Sequence, residues 1–280
     1  MKFTIGLLCV LGGSLSLGFS GFPLERPQCV LFYYHHEPLP LEALKAYDWI
    51  VLDADYPHLD VLSGARYAKA CPKLLAYVSV GEIEPYRTYF ASLRPYILGA
   101  NPTWGSYVAD LLNPRYLRFI LDQVVPRIAQ RGFDGFVLDT LDSYELCVDK
   151  EKWANVEDAE VSFIEELRRR YPEKLIVVNR AFAIFSRIRP LIDGFLCEGL
   201  YHSLDARRRY VPVGEEERQD LLARLREIQG TGIPVIVIDY VPPRSKKLAK
   251  ATVSEIARHG FIPYVADRDL ATIGFSPCKK

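Results

Sequence analysis

The stretch GFDGFVLDTLDSYE, residues 132–145, begins as an apolar strand and ends with Asp139, Asp142 and Glu145 close together. DGFLCEGLY, residues 193–201, repeats the arrangement, with Glu198 closing an apolar run. Carboxyl groups at the ends of buried strands suit acid–base chemistry, where one donates a proton while its partner attacks carbon or activates water. Two of them facing across a cleft are what glycosidic cleavage requires. Strand alternation puts Asp139 on the face of Val137, and Glu198 on the face of Leu196. If those faces point inward, both carboxylates reach one opening. Many barrel enzymes use strand-end acids for metals instead, and spacing alone does not separate the two uses.

Eight apolar runs are available to position these groups: CVLFYY (29–34), WIVLDAD (49–55), KLLAYVSVGE (73–82), GFVLDT (135–140), KLIVVNR (174–180), GFLCEG (194–199), PVIVIDYV (234–241) and FIPYVAD (261–267). Near-continuous Val, Ile and Leu predicts strands buried on both faces, as in a parallel sheet. Helical patterns lie between them, clearest over residues 114–132, 156–172, 215–232 and 247–260, and they close with Gly or Tyr-Pro. The alternation predicts a single (β/α)8 TIM barrel over residues 21–280. A doubly wound open sheet is the runner-up, but it wants a Gly-rich phosphate loop after its first strand, and FYYHHEP offers none. Residues 101–113 read as an elaborated loop after strand three, with Trp104 expected beneath it; a lid or platform aromatic is the alternative for that ring.

In such barrels the chemistry sits at the C-terminal strand ends. Those ends carry Glu37, Asp53 with Asp55, Glu82 with Glu84, Asp139 with Asp142, Asn179, Glu198, Asp239, and Asp267 with Asp269. Helix capping accounts for Glu37, Asp267 and Asp269. It accounts less well for Asp139, Glu198 and Asp239, which close the strands themselves.

The totals narrow the class further. Thirty-five basic residues balance 35 acidic ones, so net charge points to neither nucleic acid nor an anionic membrane as partner. Lys2, an apolar stretch from Ile5 to Leu17 and small residues at 18–21 predict a signal peptide over residues 1–20, too short for a membrane span. An uncleaved anchor is the alternative. The expected product is exported, periplasmic or secreted, monomeric, and without stable membrane insertion once the signal is removed. After it come Cys29, Cys71, Cys147, Cys197 and Cys278, an odd number that leaves at least one thiol unpaired within the chain. No CxxC pair supports a thiolate zinc site. Cys29 and Cys278 can approach each other at the bottom of the barrel, where a disulfide is one outcome.

The motifs LFYYHHEP, AYVSVGE, GFDGFVLDTLDSYE, DGFLCEGLY and PVIVIDYV, in that order, resemble glycoside hydrolase family 114, which contains the endo-α-1,4-polygalactosaminidases. The resemblance spans residues 30–270 and implies a (β/α)8 barrel that works without a cofactor. It implies catalytic acids after the fourth and sixth strands, matched here by Asp139 of LDTLD and Glu198 of CEGLY. By analogy with other barrel enzymes that cleave α-linked galactosides, Asp139 is the nucleophile and Glu198 the acid/base. The implied substrate is a galactosamine-rich, partly deacetylated exopolysaccharide of the biofilm type. Deacetylated galactosamine carries ammonium groups, which a carboxylate-lined cleft attracts. Asp53, Glu82, Asp142 and Asp239 are candidate sugar or amine contacts, and Tyr201 and Tyr240 candidate sugar-facing aromatics. Each has a structural alternative, as an internally hydrogen-bonded acid or a packed ring. Two other functions compete: a barrel that binds the polymer without cutting it, and a metal-dependent deacetylase. His35-His36-Glu37 gives little support to a metal, because neighbouring histidines on an extended segment point to opposite sides and no HExxH helix accompanies them. These residues also depart from the family's pattern after FYY.

Overall fold

Eight parallel strands run in chain order around one sheet: β1 (Val30–Tyr33), β2 (Trp49–Asp53), β3 (Lys73–Ser79), β4 (Gly135–Asp139), β5 (Leu175–Asn179), β6 (Gly194–Glu198), β7 (Val235–Tyr240) and β8 (Ile262–Ala266). They come from a computed structural model that describes residues 26–40, 45–64 and 72–278. The expected signal peptide, Cys71 and the C-terminal lysines lie outside the described residues. Every strand falls within one of the eight apolar runs. Residues of β2 and β5 are buried along their whole length, as expected where a wall is covered on both faces.

Three long helices pack outside the strands: α1 (Trp153–Arg170), α2 (Glu215–Gly230) and α3 (Lys246–Arg258). Each buries residues three or four apart, for example Leu221, Leu225 and Ile228 of α2. The helix expected over 114–132 is not continuous. It runs as α-helix over Pro114–Phe119, loosens to a π-turn over Ile120–Val124 and resumes over Val125–Gln130. Pro126 supplies the reason, since its ring lacks an N–H and crowds the carbonyl of Asp122 one turn back.

No backbone ladder joins β1 to β8, so the barrel closes through other contacts. The Tyr264 hydroxyl donates to the Phe32 carbonyl at 2.9 Å, and the Tyr34 N–H donates to the Leu270 carbonyl at 2.9 Å. Phe275 then pairs antiparallel with Val265 through bonds of 2.9 and 2.8 Å. Gly274 permits this approach, because a Cβ there would overlap the Val265 carbonyl and the Tyr264 ring. A disulfide between Cys29 and Cys278 clasps the same seam from below. Cys147 is exposed and Cys197 buried, both as free thiols.

Two elaborations sit at the C-terminal rim. The expected loop after β3 is a three-stranded antiparallel sheet, made of Glu82–Ile83, Ile97–Asn101 and Ser106–Ala109. After β6, His202–Leu204 and Tyr210–Pro212 form a hairpin. Among the described residues no helix is long and apolar enough to cross a membrane.

The clasp spans 249 residues of chain, so its loss frees much unfolded-state entropy, worth about 2–5 kcal/mol. Cys278→Ser is expected to lower the melting temperature by roughly 5–15 °C. Scanning calorimetry of the variant, beside the native protein with and without reductant, checks this.

Candidate active site

β4, β5 and β6 end in Asp139, Asn179 and Glu198, and the residue after each turns left-handed: Thr140 at φ 65°, Arg180 at φ 51° and Gly199 at φ 70°. Such a turn ends the strand abruptly. The cost is about 1 kcal/mol or more wherever a Cβ is present. At Thr140 it is offset by hydrogen bonding. Its hydroxyl donates to the Asp139 carbonyl at 2.6 Å, accepts from the Gly81 N–H at 2.9 Å and meets the Ser79 hydroxyl at 3.0 Å. Gly81 must be glycine for this contact, because a Cβ would collide with the Thr140 carbonyl. The loops after β3 and β4 are thereby locked together.

A cavity of about 900 Å³ opens at this end, lined by Val137 and Asp139 of β4, Leu196 and Glu198 of β6, Asn179, Tyr34, Tyr77 and Tyr240. Val137 and Leu196 therefore face inward, and both carboxyls reach one opening. Between them lies Asn179, whose Nδ2 donates to Asp139 Oδ1 at 2.7 Å and to Glu198 Oε1 at 2.8 Å. Two bonds from one nitrogen hold those oxygens within about 5.5 Å of each other. The Tyr240 hydroxyl donates to the other oxygen of Glu198.

Burial pushes Asp139 up to about 7, with the neighbouring Glu198 carboxylate adding to it and the Asn179 bond opposing it. Burial also raises Glu198, against the donors Tyr240 and Asn179 and the charge of Arg180. Two carboxyls this close cannot both ionise readily, so the pair holds one proton near neutrality. Both acids accept donors that favour the charged form, Asp139 from Asn179 and the Thr140 backbone, Glu198 from Tyr240 and Asn179, so the proton belongs to the pair. Tyr240 is raised well above its usual range by burial and by Glu198, so it stays a neutral donor.

The remaining candidates divide. Asp142 lines the cavity and pairs with Arg180 Nε at 3.3 Å, while Arg180 Nη1 donates to the Glu198 carbonyl at 3.1 Å. Asp53 lines the cavity too, but buried Arg87 holds it at 2.9 Å and also binds Asp55 at 3.1 Å and Glu84 at 2.7 Å. Glu82 likewise has both oxygens engaged, by Asn101 at 2.9 Å, Ser143 at 2.6 Å and Ser106. It ties the inserted sheet to the loop after β4.

Three expectations need correction. Asp239 has no accessible surface and accepts the N–H groups of Leu200, Tyr201 and His202 at 2.7–2.9 Å. It anchors the chain after β6 and cannot touch a sugar. Tyr201 lies outside the cavity, with its hydroxyl 2.7 Å from His259 Nε2 and its ring stacked on that imidazole. Tyr240 lines the cavity as a buried donor to Glu198 and offers no open stacking platform.

Several cavity residues were not chosen as candidates from sequence. Asn179 closes KLIVVN as Asp139 closes GFVLD, and that parallel was its signal. Tyr34 and Tyr77, whose place near strand ends also suits sugar stacking but which were passed over for Tyr201 and Tyr240, pack 4.9 Å apart beside the acid pair. Trp104, expected beneath its loop, is instead 50% exposed on the rim, with the Arg208 guanidinium over its ring. Arg87 had one local partner, Glu84 three residues before it, while Asp53 and Asp55 come from the end of β2 and the loop after it.

The glycoside hydrolase domain of PelA from Pseudomonas aeruginosa superposes with a TM-score of 0.81 at 28% identity, covering 89% of this chain and 98% of that one. Aspergillus fumigatus Ega3, solved in complex with galactosamine, superposes at 0.66 with 14% identity over 90% and 94% of the two chains, a likeness of fold. An uncharacterized protein of Methanocaldococcus jannaschii is 26% identical over 220 residues, 70% of this chain and 61% of its own. One from Deinococcus radiodurans is 27% identical over 207 residues, 70% of this chain and 65% of its own. The chain thus matches under two thirds of the length of these two relatives. The model of glycoside-hydrolase family GH114 matches residues 34–280, from the end of β1 to the C-terminus. A match running through seven of the eight strands and both strand-end carboxyls is decisive: the chain belongs to glycoside-hydrolase family GH114.

Proposed function

We propose that the protein is an exported endo-glycosidase that cleaves an α-1,4-linked, galactosamine-rich polysaccharide with retention, using Asp139 and Glu198. The observation that carries this is the single Asn179 nitrogen bonded to both carboxyls. Its two bonds keep the oxygens within about 5.5 Å, the spacing of retaining enzymes; inverting ones leave about 6.5–9.5 Å for a water.

Asp139 attacks the anomeric carbon and forms an ester to it. The bond to the leaving oxygen breaks, its electron pair stays on that oxygen, and Glu198 supplies the proton. Water then enters on the same side and gives its proton to Glu198. Its oxygen bonds the anomeric carbon as the ester to Asp139 breaks. The products are two shorter chains, with both carboxyls restored. For attack the shared proton must sit on Glu198 and leave Asp139 charged. An ammonium group lodged near Asp139 does this by favouring its charged form.

The lining supports a cationic substrate. Arg87 neutralises the acids behind the site and Arg180 pairs with Asp142, whereas exposed Glu145 and the one charge retained by the catalytic pair keep negative charge on the lining. Tyr86 and Trp104 stand exposed on the rim of a wide cavity, where a long chain can lie across the opening.

Incubation with partly deacetylated α-1,4-galactosamine polymer is expected to yield shorter chains, with Asp139→Asn and Glu198→Gln each slowing release by about 10³-fold or more. Product NMR should show the α-anomer first. A native protein that leaves the polymer intact would end this reading. The rate should fall as pH rises through about 7, where the pair loses its shared proton.

Stability carries the same signature. Asp139 has its folded pKa raised, so its contribution to stability is full below the unfolded value and lost as pH rises through about 7. Asp139→Asn should therefore melt roughly 2–6 °C above the native protein at pH 8, with the difference closing near pH 4. Calorimetry at the two pH values decides it.

A further inference from the structure

We propose that Asn179 is a positioning residue whose side-chain NH2 group sets the separation of the two carboxyls, and so makes the site a retaining one. This rests on the retaining reading above and deepens it.

A primary amide nitrogen carries two hydrogens about 120° apart, and Asn179 spends one on each carboxyl, at 2.7 and 2.8 Å. Two acceptors of one such group stand ~4.5–5 Å apart by geometry alone. That separation matches the need of a retaining pair and leaves no room for an interposed water. Buried carboxyls repel and would otherwise drift apart. Among the described residues no cation bridges their oxygens: Arg180 bonds Asp142 and the Glu198 backbone carbonyl, while Arg87 is taken by Asp53, Asp55 and Glu84.

Neutrality of the bridge matters as much as its shape. A guanidinium in this place would favour two bare carboxylates and strip the shared proton. An amide holds the spacing and leaves the proton on the pair. Its orientation is fixed, since the reverse would set Oδ1 against two acceptors that share one hydrogen.

The cost of this arrangement is visible at the same residue. Asn179 is 5% exposed, and its Oδ1 accepts no hydrogen bond from the described residues, which is unfavourable for a buried carbonyl. The next residue, Arg180, is held left-handed at φ 51°. Two unfavourable features beside one amide mark a position kept for its chemistry, since packing alone gains nothing from either.

Other groups facing the pair are Tyr34, Tyr77, Tyr240, Asp142 and Arg180, with Asp53 and Glu84 held by Arg87. None of them is altered in the test. Asn179→Ala and the near-isosteric Asn179→Asp are compared with the native protein by kcat, KM, pH–rate profile, product anomer and carboxyl ¹³C NMR titration. The expected result is kcat lowered about 10²-fold or more with KM within about threefold. The alkaline limb should move up by about one pH unit as the donor is lost, and residual product should lose its single anomeric configuration. The Asp variant carries the test if the Ala variant does not fold. Variants that keep native kcat, alkaline limb and retention would overturn the proposal. The NMR titration is read without substrate. If the native protein cuts no polymer, an upward shift in the variants still supports Asn179 as the spacer, and an unchanged titration overturns it.

Discussion

Two carboxyl groups held side by side out of water repel each other, and everything at the mouth of this barrel answers to that repulsion. Left alone, Asp139 and Glu198 would separate, draw in water or both take up protons. They are kept together by one amide, one tyrosine hydroxyl and one shared proton. These are neutral devices. Opposite charge is kept one layer away, on Arg180 and Arg87, where it steadies the surroundings without discharging the pair.

Rigidity of the frame makes this possible. Parallel strands buried on both faces cannot slip by one residue without turning a whole apolar face outward. Their last side chains therefore arrive at fixed heights. The left-handed turns after β4, β5 and β6 then end the strands at once, so Asp139, Asn179 and Glu198 are supported by sheet up to their side chains. The barrel's weak line is the seam between β1 and β8, closed by Tyr264, the Phe275 bridge and the Cys29–Cys278 clasp. An oxidising compartment suits such a clasp.

The acids at the strand ends serve three ends that a count of charges merges. Asp139 and Glu198 stay within reach of a ligand. Asp53, Glu82 and Glu84 face the cavity but are spent on Arg87 or on serine and asparagine donors, and so hold loops in place. Asp239 is wholly internal and collects three backbone N–H groups from the chain after β6. Desolvation decides among these fates, because a buried carboxylate persists only where donors surround it.

The eight strands, the inward faces of β4 and β6, and the place of Asp139 and Glu198 were all legible in the sequence, because period-two burial and strand-end position are local properties. Alternation also contained a warning: Asp239 and Tyr240 are adjacent in one strand, so both could not face the opening. Tertiary structure chose Tyr240. It alone also decided that Tyr201 swings out to His259 beyond the Gly199 turn, that Trp104 reaches the rim, and that Arg87 gathers acids from two loops. Above all it decided that Asn179 lies between two carboxyls 40 residues before and 19 after it in the chain. The reason is physical. Hydrophobic periodicity records which face of a strand is dry, whereas a hydrogen bond between distant strand ends depends on register, tilt and turn geometry that no short stretch of chain encodes.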